Sequence, residues 1–317
     1  MNKLINQRID IDGILFRNFQ SDEASKLSGL QSRCLEFCPD TGEFEPGFWL
    51  SPGFQNGKNI LVAEDRKGQI LGYAATTSAY YSNTLQARVF WIDLRSDLVL
   101  DPHLAIKDAL LEGIIQRGRE IKAEENRERA AMGATYFAQG EASIDYLQSR
   151  GFTHFETSLA MRIALLNYAA PALHHVDGGI EIKPWKMESR EEKIAYLAAR
   201  ETAFGYPLGR LDLLEHFTQS ELWQNGTCLT AFSDEKIIGS AMALTNGLLD
   251  YVFVLPEWRG RGIARALVLE ALKFLQERDH TQAWLEVLSH NQVAVGLYQS
   301  LGFETFKEEI SLGYLLN

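Results

Sequence analysis

The stretch "VLPEWRGRGIA", residues 254–264, decides how this sequence is interpreted. It joins a β-rich run, "LLDYVFVLP" at 248–256, to a run with helical periodicity, and it places glycines and arginines in the turn between them. The first amides of a helix have no intrahelical partner and carry a partial positive charge from the helix dipole. Glycine lets a ligand approach the backbone closely. The turn therefore predicts a binding site for a phosphate or pyrophosphate group.

The residues that follow the turn predict an amphipathic helix, because apolar side chains recur with the spacing of one helical face. These side chains are Ala264, Leu267, Val268, Ala271, Leu272 and Leu275. Two common phosphate-binding loops do not fit this turn. A Walker A loop requires Gly-Lys-Ser or Gly-Lys-Thr, and a Rossmann fingerprint requires glycine or alanine where Arg265 stands. The elements before the turn also read as antiparallel, whereas a Rossmann fingerprint belongs to a parallel βαβ unit.

An internal repeat connects the two halves of the chain. "ILVAEDRKGQILGYAATTS" at 60–78 matches "CLTAFSDEKIIGSAMALTN" at 228–246, and "ASIDYLQSRGF" at 142–152 matches "AVGLYQSLGF" at 294–303. Each pair reads as the same succession of strands, turns and helices. The repeat is far longer than the units of solenoid proteins, so it indicates a duplicated α/β domain.

The joint between the two copies is marked by helix- and strand-breaking residues, Pro171 and the Gly178-Gly179 pair. The sequence therefore predicts a first domain at 1–165, a linker at 166–179 and a second domain at 180–317.

The residues from Arg259 to Ala264 form an Arg-x-x-Gly-x-Ala pattern that resembles the acyl-CoA-binding motif of GNAT-type N-acetyltransferases. The segment "AWLEVLSHNQVAVGLYQSLGF" at 283–303 resembles the next strand and helix of that family. The resemblance covers the second half closely and the first half through the repeat. The tandem arrangement is similar to mycothiol synthase and related two-domain acetyltransferases. It implies an α/β (α+β) fold of two tandem GNAT-like domains, each with a mixed, mostly antiparallel sheet flanked by helices.

The same resemblance implies that acetyl-CoA is the co-substrate and that no metal is needed. Loop amides would hold the CoA pyrophosphate, and Asn291 would bind the pantetheine region. Asn291 is equally suited to cap the following helix. The implied acyl-CoA-binding residues are Phe253, Val254, Arg259, Gly260, Arg261, Gly262, Ile263, Ala264 and Asn291.

Acetyl transfer requires a neutral amine, a donor for the oxyanion and a proton for the departing thiolate. Tyr298 matches the tyrosine that the family uses as the acid, although its apolar spacing also fits a core aromatic. Glu286 stands in a β-run, "LEV", that is similar to the strand of ribosomal-protein N-acetyltransferases whose glutamate is held to be the base. A solvated strand face explains Glu286 equally well. Asp250 is the competing base, and a proton relayed by water is a third alternative.

The first half departs from the motif. The repeat places Asp101, Pro102, His103 and Leu104 opposite the residues from Arg259 to Gly262. Both glycines are lost there and a carboxylate is gained, so the first domain is predicted to be degenerate and without acyl-CoA. It would wall the acceptor site or serve stability alone. Trp49 in the loop "GFWLSPGF" is interpreted either as part of an acceptor lid or as a buried core residue.

Composition limits the function classes. The net charge is −11, which argues against a nucleic-acid partner. The chain has 3 cysteines, too few for a disulfide framework, and it shows neither a signal peptide nor a membrane-spanning run, so a cytoplasmic protein is expected. The expected partner is a small-molecule or peptide amine acceptor, and the protein is expected to be a monomer or homodimer. The predicted function is an acetyl-CoA-dependent N-acetyltransferase; the alternative is a non-catalytic acyl-CoA sensor or regulatory module.

Overall fold

A computed structural model describes residues 9–11, 13–35, 44–101, 103–169, 171, 179–206 and 211–317. The chain divides into two compact units. Unit 1 contains residues 1–156 and 309–317, and unit 2 contains residues 157–308.

Unit 1 is a mostly antiparallel sheet with helices. Its strands pair in the order β1-β2-β3-β4-β5-β6 followed by the end of β13, and only β5 and β6 run parallel. A cluster of buried side chains packs helix α2 against this sheet. The elements are β1 (Ile9–Ile11), β2 (Ile14–Asn18), α1 (Ala24–Leu35), β3 (Ile60–Glu64), β4 (Ile70–Ser82), β5 (Ala87–Ser96), α2 (Ala105–Glu124), β6 (Ala130–Phe137), α3 (Glu141–Ser149) and part of β7 (Thr153–Ala164) and of β13 (Glu304–Leu316).

Unit 2 repeats this plan. Strands pair antiparallel in the order β8-β9-β10-β11, and β12 pairs antiparallel with the second part of β7. The elements are β8 (Glu181–Pro184), α4 (Arg190–Phe204), α5 (Leu211–Phe217), α6 (Glu221–Asn225), β9 (Thr227–Ser233), β10 (Lys236–Ala243), β11 (Leu249–Val254), α7 (Ile263–Gln276), β12 (Gln282–Leu288) and α8 (Gln292–Ser300).

Helix α4 begins and ends where local chemistry dictates. The Ser189 side chain accepts a hydrogen bond from the Glu192 amide, and the Glu192 carboxylate accepts one from the Ser189 amide, which satisfies amides that lack helical partners. Gly205 ends the helix with φ of 79°, a conformation that glycine adopts without strain. These caps fix the two ends of α4, whose apolar side chains pack against the β8–β11 sheet.

Each face of the β8–β11 sheet packs against a different layer. One face carries Cys228, Met242 and Phe253, which pack against α4. The other face carries residues such as Leu249 and Val254, which pack against α7. We refer to these as the α4 face and the α7 face of unit 2.

The internal repeat is visible in equivalent glycines. A Cβ on Gly72 would lie 2.9 Å from the carbonyl oxygen of Arg95, and a Cβ on Gly239 would lie 2.8 Å from that of Phe253. Both glycines allow a strand and a helix to approach at the same place in each unit, because no side chain intervenes. The predicted fold class, mixed and mostly antiparallel sheets with flanking helices, agrees with both units.

The boundaries of the units differ from the predicted domains 1–165 and 180–317. Residues 158–164 pair with β12 and belong to unit 2, whereas residues 309–316 pair with β6 and belong to unit 1. The alternation of apolar and polar residues identifies a strand but not its partner, so the prediction kept each strand with its own half. The predicted linker at 166–179 lies within the range of unit 2, and residues 170 and 172–178 fall outside the described residues.

Trp49 is a core residue of unit 1. Its ring is 1% exposed and contacts Phe54 and Tyr73 at centroid separations of 5.5 and 5.2 Å. Within the described ranges, no helix is both long enough and apolar enough to span a bilayer.

We expect Leu312→Ala to destabilise unit 1 although the residue lies near the C-terminus of the chain. Leu312 is 0% exposed in the unit 1 core, and removal of such a side chain costs about 2–5 kcal/mol. Hydrogen exchange should show lost amide protection in β6 and retained protection in β9 and β10. Leu315→Ala is the matched control, since Leu315 lies in the same strand and is 46% exposed. Loss of protection in β9 and β10 with β6 intact would show that the C-terminal strand belongs to the second domain, as the predicted boundary 180–317 has it.

Candidate active site

The candidate active site of unit 2 lies where strands β11 and β12 separate. The two strands run parallel and are joined by a single bridge, between Leu248 and Trp284. The Trp284 amide donates to the Gly247 carbonyl at 2.9 Å, and the Trp284 indole donates to the Asn246 carbonyl at 3.2 Å. Beyond this bridge the described residues of β11 and β12 form no further ladder. An opening therefore forms between the strands, with backbone groups along its edges.

Both candidate bases lie on one face of this opening. Asp250 stands two residues after Leu248, and Glu286 stands two residues after Trp284. Asp250 is opposite Met242, so it points to the α4 face. Leu285 and its alternate neighbours in β12 pack on the α7 face, so Glu286 points to the α4 face as well. The register thus brings the two carboxylates to equivalent positions along the opening.

The two carboxylates differ in their surroundings. Glu286 is exposed, whereas Asp250 is half-buried. The Asp250 Oδ1 atom accepts a hydrogen bond from the Tyr251 amide at 2.8 Å. Burial raises the pKa of Asp250 above its usual value, and this hydrogen bond and the charge of Arg200 oppose the rise.

Tyr298 lies on the α7 face. Its ring is 6% exposed and meets Phe303 edge to face at a centroid distance of 5.7 Å. Burial raises the pKa of Tyr298 to about 12, so the phenol keeps its proton at neutral pH. Within the described part of the chain the hydroxyl has no hydrogen-bond partner. Tyr298 is therefore a core aromatic whose hydroxyl remains available as a proton donor.

A β-bulge interrupts β11 beside the opening. Met242 pairs with Asp250 and Ser240 pairs with Phe253, so Tyr251 and Val252 stand opposite one residue of β10. Tyr251 has φ of 46°, which is unusual for a bulky side chain and indicates backbone strain. The bulge redirects the strand locally and places Tyr251 next to Arg200, whose guanidinium carbon lies 4.2 Å from the ring centroid.

The glycine-arginine loop precedes α7 as predicted. Gly260 and Gly262 have φ of 75° and 78°, and a Cβ on either would meet nothing within 4 Å. The first hydrogen bond of the helix runs from the Ala266 amide to the Gly262 carbonyl, and Gly262 provides no side-chain cap. The amides before Ala266 therefore have no intrahelical partner and lie at the positive end of the helix dipole. This backbone fits a phosphate group.

The two arginines of the loop have different partners from those expected. Arg259 donates to the Val254 carbonyl at 3.1 Å and to the Ala203 carbonyl at 2.6 Å, so it fastens the loop to the end of α4. Arg261 is exposed and lies 4.6 Å above the Trp258 ring. Arg261 is therefore the arginine of the loop whose exposed side chain is placed to pair with a phosphate group.

The remaining residues that were predicted to bind acyl-CoA have buried side chains or cap a helix. Phe253 and Val254 are 5% and 8% exposed, and their side chains pack on the α4 and α7 faces. Ile263 is also buried, so a ligand would contact the loop through its amides. Asn291 accepts a hydrogen bond from the Ala294 amide at 3.3 Å and caps α8, which is the structural role that its sequence position allowed.

The equivalent helix of unit 1 holds an internal anion. Leu104 begins α2 with φ of 58°, the same left-handed conformation as Gly262 in unit 2. The Asp101 carboxylate is 4% exposed and accepts hydrogen bonds from the amides of Ile106 and Lys107 at 3.1 and 3.0 Å. The first-turn amides of unit 1 are therefore occupied by the protein itself. Pro102 lies outside the described residues.

The sequence reasoning missed two polar residues of α4, Tyr196 and Arg200. They are 0% and 5% exposed and point to the α4 face near the bulge. The available signal was their spacing, because Arg200 follows Tyr196 by one turn and precedes Ala203 within the apolar stripe of the helix.

A separate surface cavity of about 720 Å³ in unit 2 contains none of the predicted site residues. Its lysines already have hydrogen-bond acceptors within the protein. Lys186 donates to the Gln224 carbonyl at 3.0 Å, and Lys193 donates to the Met187 carbonyl at 2.7 Å. Across the described residues, no group of three histidine, cysteine or acidic side chains is arranged to hold a metal ion.

Comparison with known proteins finds a family match in this region. Residues 192–303 match the acetyltransferase (GNAT) family. The ribosomal protein alanine N-acetyltransferase of Escherichia coli strain K12 is 28% identical over 133 residues, which are 42% of this chain and 73% of that protein. Mycothiol acetyltransferase of Nocardiopsis dassonvillei is 31% identical over 148 residues, which are 41% of this chain and 44% of that protein. This chain spans less than half the length of several curated relatives that it matches.

A solved tandem GNAT protein from the clavulanic acid biosynthesis pathway has the same fold. It superposes with a TM-score of 0.68 at 14% identity, over 96% of this chain and 99% of that chain. At this identity the likeness concerns the fold alone. It confirms the predicted tandem GNAT fold class.

We expect Arg259→Ala and Arg261→Ala to differ in stability. The first change removes hydrogen bonds to two backbone carbonyls and should lower the free energy of unfolding by about 1–2 kcal/mol. The second removes an exposed cation–π contact with Trp258 and a long, exposed hydrogen bond of 3.4 Å to the Glu257 carbonyl, together worth about 0.5 kcal/mol or less. Urea denaturation of the two variants measures the difference. Equal losses would show that Arg259 does not fasten the loop.

Proposed function

We propose that this chain, whose residues 192–303 match the GNAT family, transfers an acetyl group from acetyl-CoA to an amine acceptor in unit 2. The observation that carries the proposal is the set of first-turn amides before Ala266, which have no intrahelical partner or side-chain cap and stand beside glycines with open space around them. The loop amides would hold the pyrophosphate of CoA, with Arg261 as a nearby cation. The thioester would reach the opening between β11 and β12. The acceptor is a small-molecule or peptide amine.

The residues around the opening supply the proton transfers that the reaction needs. Glu286 takes a proton from the acceptor ammonium, directly or through water, so that the neutral amine attacks the thioester carbon. The new C–N bond forms and the C–S bond breaks. Tyr298 gives its proton to the departing thiolate, which leaves as the free thiol of CoA. The acid and the base lie on opposite faces of the opening, as a reaction that passes between β11 and β12 requires.

We further propose that unit 1 binds no acyl-CoA. The Asp101 carboxylate stands on the amides of Ile106 and Lys107, where a second pyrophosphate would need to bind. An incoming phosphate would have to displace a buried carboxylate that has the same sign of charge, which is costly. One binding site per chain is therefore expected.

Calorimetric titration should find one acetyl-CoA site per chain in the wild type, and Gly262→Glu should weaken it by about 100-fold or more. The new carboxylate enters the open space at Gly262 and repels the pyrophosphate. Gly68→Glu is the matched control, because Gly68 has φ of 79° and equal open space in a turn of unit 1. Two sites per chain would contradict the role given to Asp101, and no site at all would contradict the proposed function.

Tyr298→Phe should lower kcat by about 100-fold, since it removes the proton for the thiolate and leaves the packed ring in place. The rate is measured as free thiol released in the presence of an acceptor amine. Acetyl-CoA affinity should stay within about twofold of the wild type, because the variant keeps the loop amides. An unchanged kcat would assign Tyr298 to the core alone, and saturable binding without thiol release from any amine would favour the sensor.

A further inference from the structure

Helix α4 buries two polar groups that the protein does not satisfy. The hydroxyl of Tyr196 and the Nε atom of Arg200 have no hydrogen-bond partner among the described residues. The two residues are one helical turn apart and therefore point the same way. A buried guanidinium without an ion pair is costly, as is a buried hydroxyl without a hydrogen bond. These two groups differ from the other unsatisfied buried groups in their position, because Arg200 contacts Tyr251 in the bulge beside the opening, where a ligand could supply a partner.

The bulge of β11 brings a carboxylate to this place. The Tyr251 ring lies 4.2 Å from the guanidinium carbon of Arg200, and Asp250, the preceding residue, points to the same α4 face. The charge of Arg200 counteracts the rise in the pKa of Asp250 that burial causes. Among the described residues, Arg200 forms no direct ion pair with Asp250 or with any other acid. One cation and one anion thus share the α4 face of the opening without neutralising each other by contact.

The charges of this polar site, formed by Tyr196, Arg200, Asp250 and Tyr251, specify the ligand. Arg200 and Asp250 have opposite charges, so a ligand with one negative and one positive group pairs with both of them. Glu286, on the same face of the opening, is the base that takes the proton of the ammonium. A phosphate ester would bring a second negative charge next to Asp250. A simple amine would leave Arg200 unpaired. A carboxylate matches the planar donors of an arginine, and an ammonium matches a carboxylate.

We propose that Arg200 binds the carboxylate and Asp250 the ammonium group of an α-amino acid, which is the acceptor of the acetyl group. Tyr196 adds a hydrogen bond to the same carboxylate. The inference rests on the proposed function, because it places the amine beside Glu286 on the α4 face of the opening. It narrows the acceptor from amines in general to amines that carry a neighbouring carboxylate.

The first experiment compares each of the common L-amino acids with its own carboxamide at saturating acetyl-CoA. Each pair has the same side chain and amine, and only the carboxylate is replaced by a neutral group. Thiol release should favour at least one amino acid over its amide by about 30-fold or more in kcat/KM, the size of effect expected when a buried charge loses its partner. Equal rates for acid and amide would overturn the inference.

Variants of the wild-type protein locate the effect. Arg200→Gln should raise KM for the amino acid by about 30-fold and leave kcat/KM for the amide within about threefold. A merely structural Arg200 would affect acid and amide alike. Arg190→Gln is the matched control, since Arg190 lies on the same helix with a side chain that is 63% exposed. It should change neither value.

Tyr196→Phe provides a variant that should fold at least as well as the wild type, because it removes an unsatisfied buried hydroxyl. It should raise KM for the amino acid by about fivefold with no loss of thermal stability. An unchanged KM would exclude Tyr196 from the polar site and contradict that part of the proposal.

A measurement of acetyl-CoA binding distinguishes failure of the amino-acid inference from failure of the proposed function. If calorimetry shows one acetyl-CoA site and no amino acid is acetylated, the amino-acid inference fails and the cofactor site stands. If acetyl-CoA does not bind, the proposed function fails and the inference falls with it.

Discussion

The single bridge between Leu248 and Trp284 is the constraint on which unit 2 depends. Parallel strands normally continue their hydrogen bonds along their full length, and unpaired backbone groups must find other partners or water. Since β11 and β12 separate after one bridge, an opening is built into the middle of a packed unit. The same separation leaves Asp250 and Glu286, both on the α4 face, beside the opening. A continuous ladder would have kept the two faces apart.

The first-turn amides of helices α2 and α7 need hydrogen-bond acceptors, and the two units differ in whether the protein supplies one. Both α2 and α7 begin after a left-handed residue, Leu104 or Gly262, and in both the first-turn amides have no intrahelical partner. In unit 1 the anion is the Asp101 carboxylate, held at 3.1 and 3.0 Å by two amides. In unit 2 no side chain caps the helix at Gly262, and a Cβ on Gly260 or Gly262 would meet nothing within 4 Å. A helix terminus that is already capped gains nothing from an external phosphate, so the fold persists in unit 1 without the ligand.

Local chemistry could be predicted from the sequence, and pairings distant in the chain could not. The turn at Gly260 and Gly262 and the cap at Asn291 follow from neighbouring residues, which the sequence displays directly. The bond from Arg259 to the Ala203 carbonyl joins positions 56 residues apart, so its charge was assigned to a ligand instead of to the backbone. Arg200 was missed for a related reason. Its spacing on α4 matches the apolar stripe, but only the bulge at Tyr251 gives that position an acidic neighbour.

The exchange of strands between the repeats supplies a physical reason for keeping a unit that holds its own anion. Residues 158–164 come from the first repeat and pair with β12, while residues 309–316 come from the second repeat and pair with β6. Deleting the first repeat would leave β12 without this antiparallel neighbour, and an unpaired apolar strand edge is a site of aggregation. Deleting the end of the second repeat would leave β6 in the same condition. Each unit is therefore completed by a strand from the other repeat, whether or not the first repeat contributes anything to the chemistry.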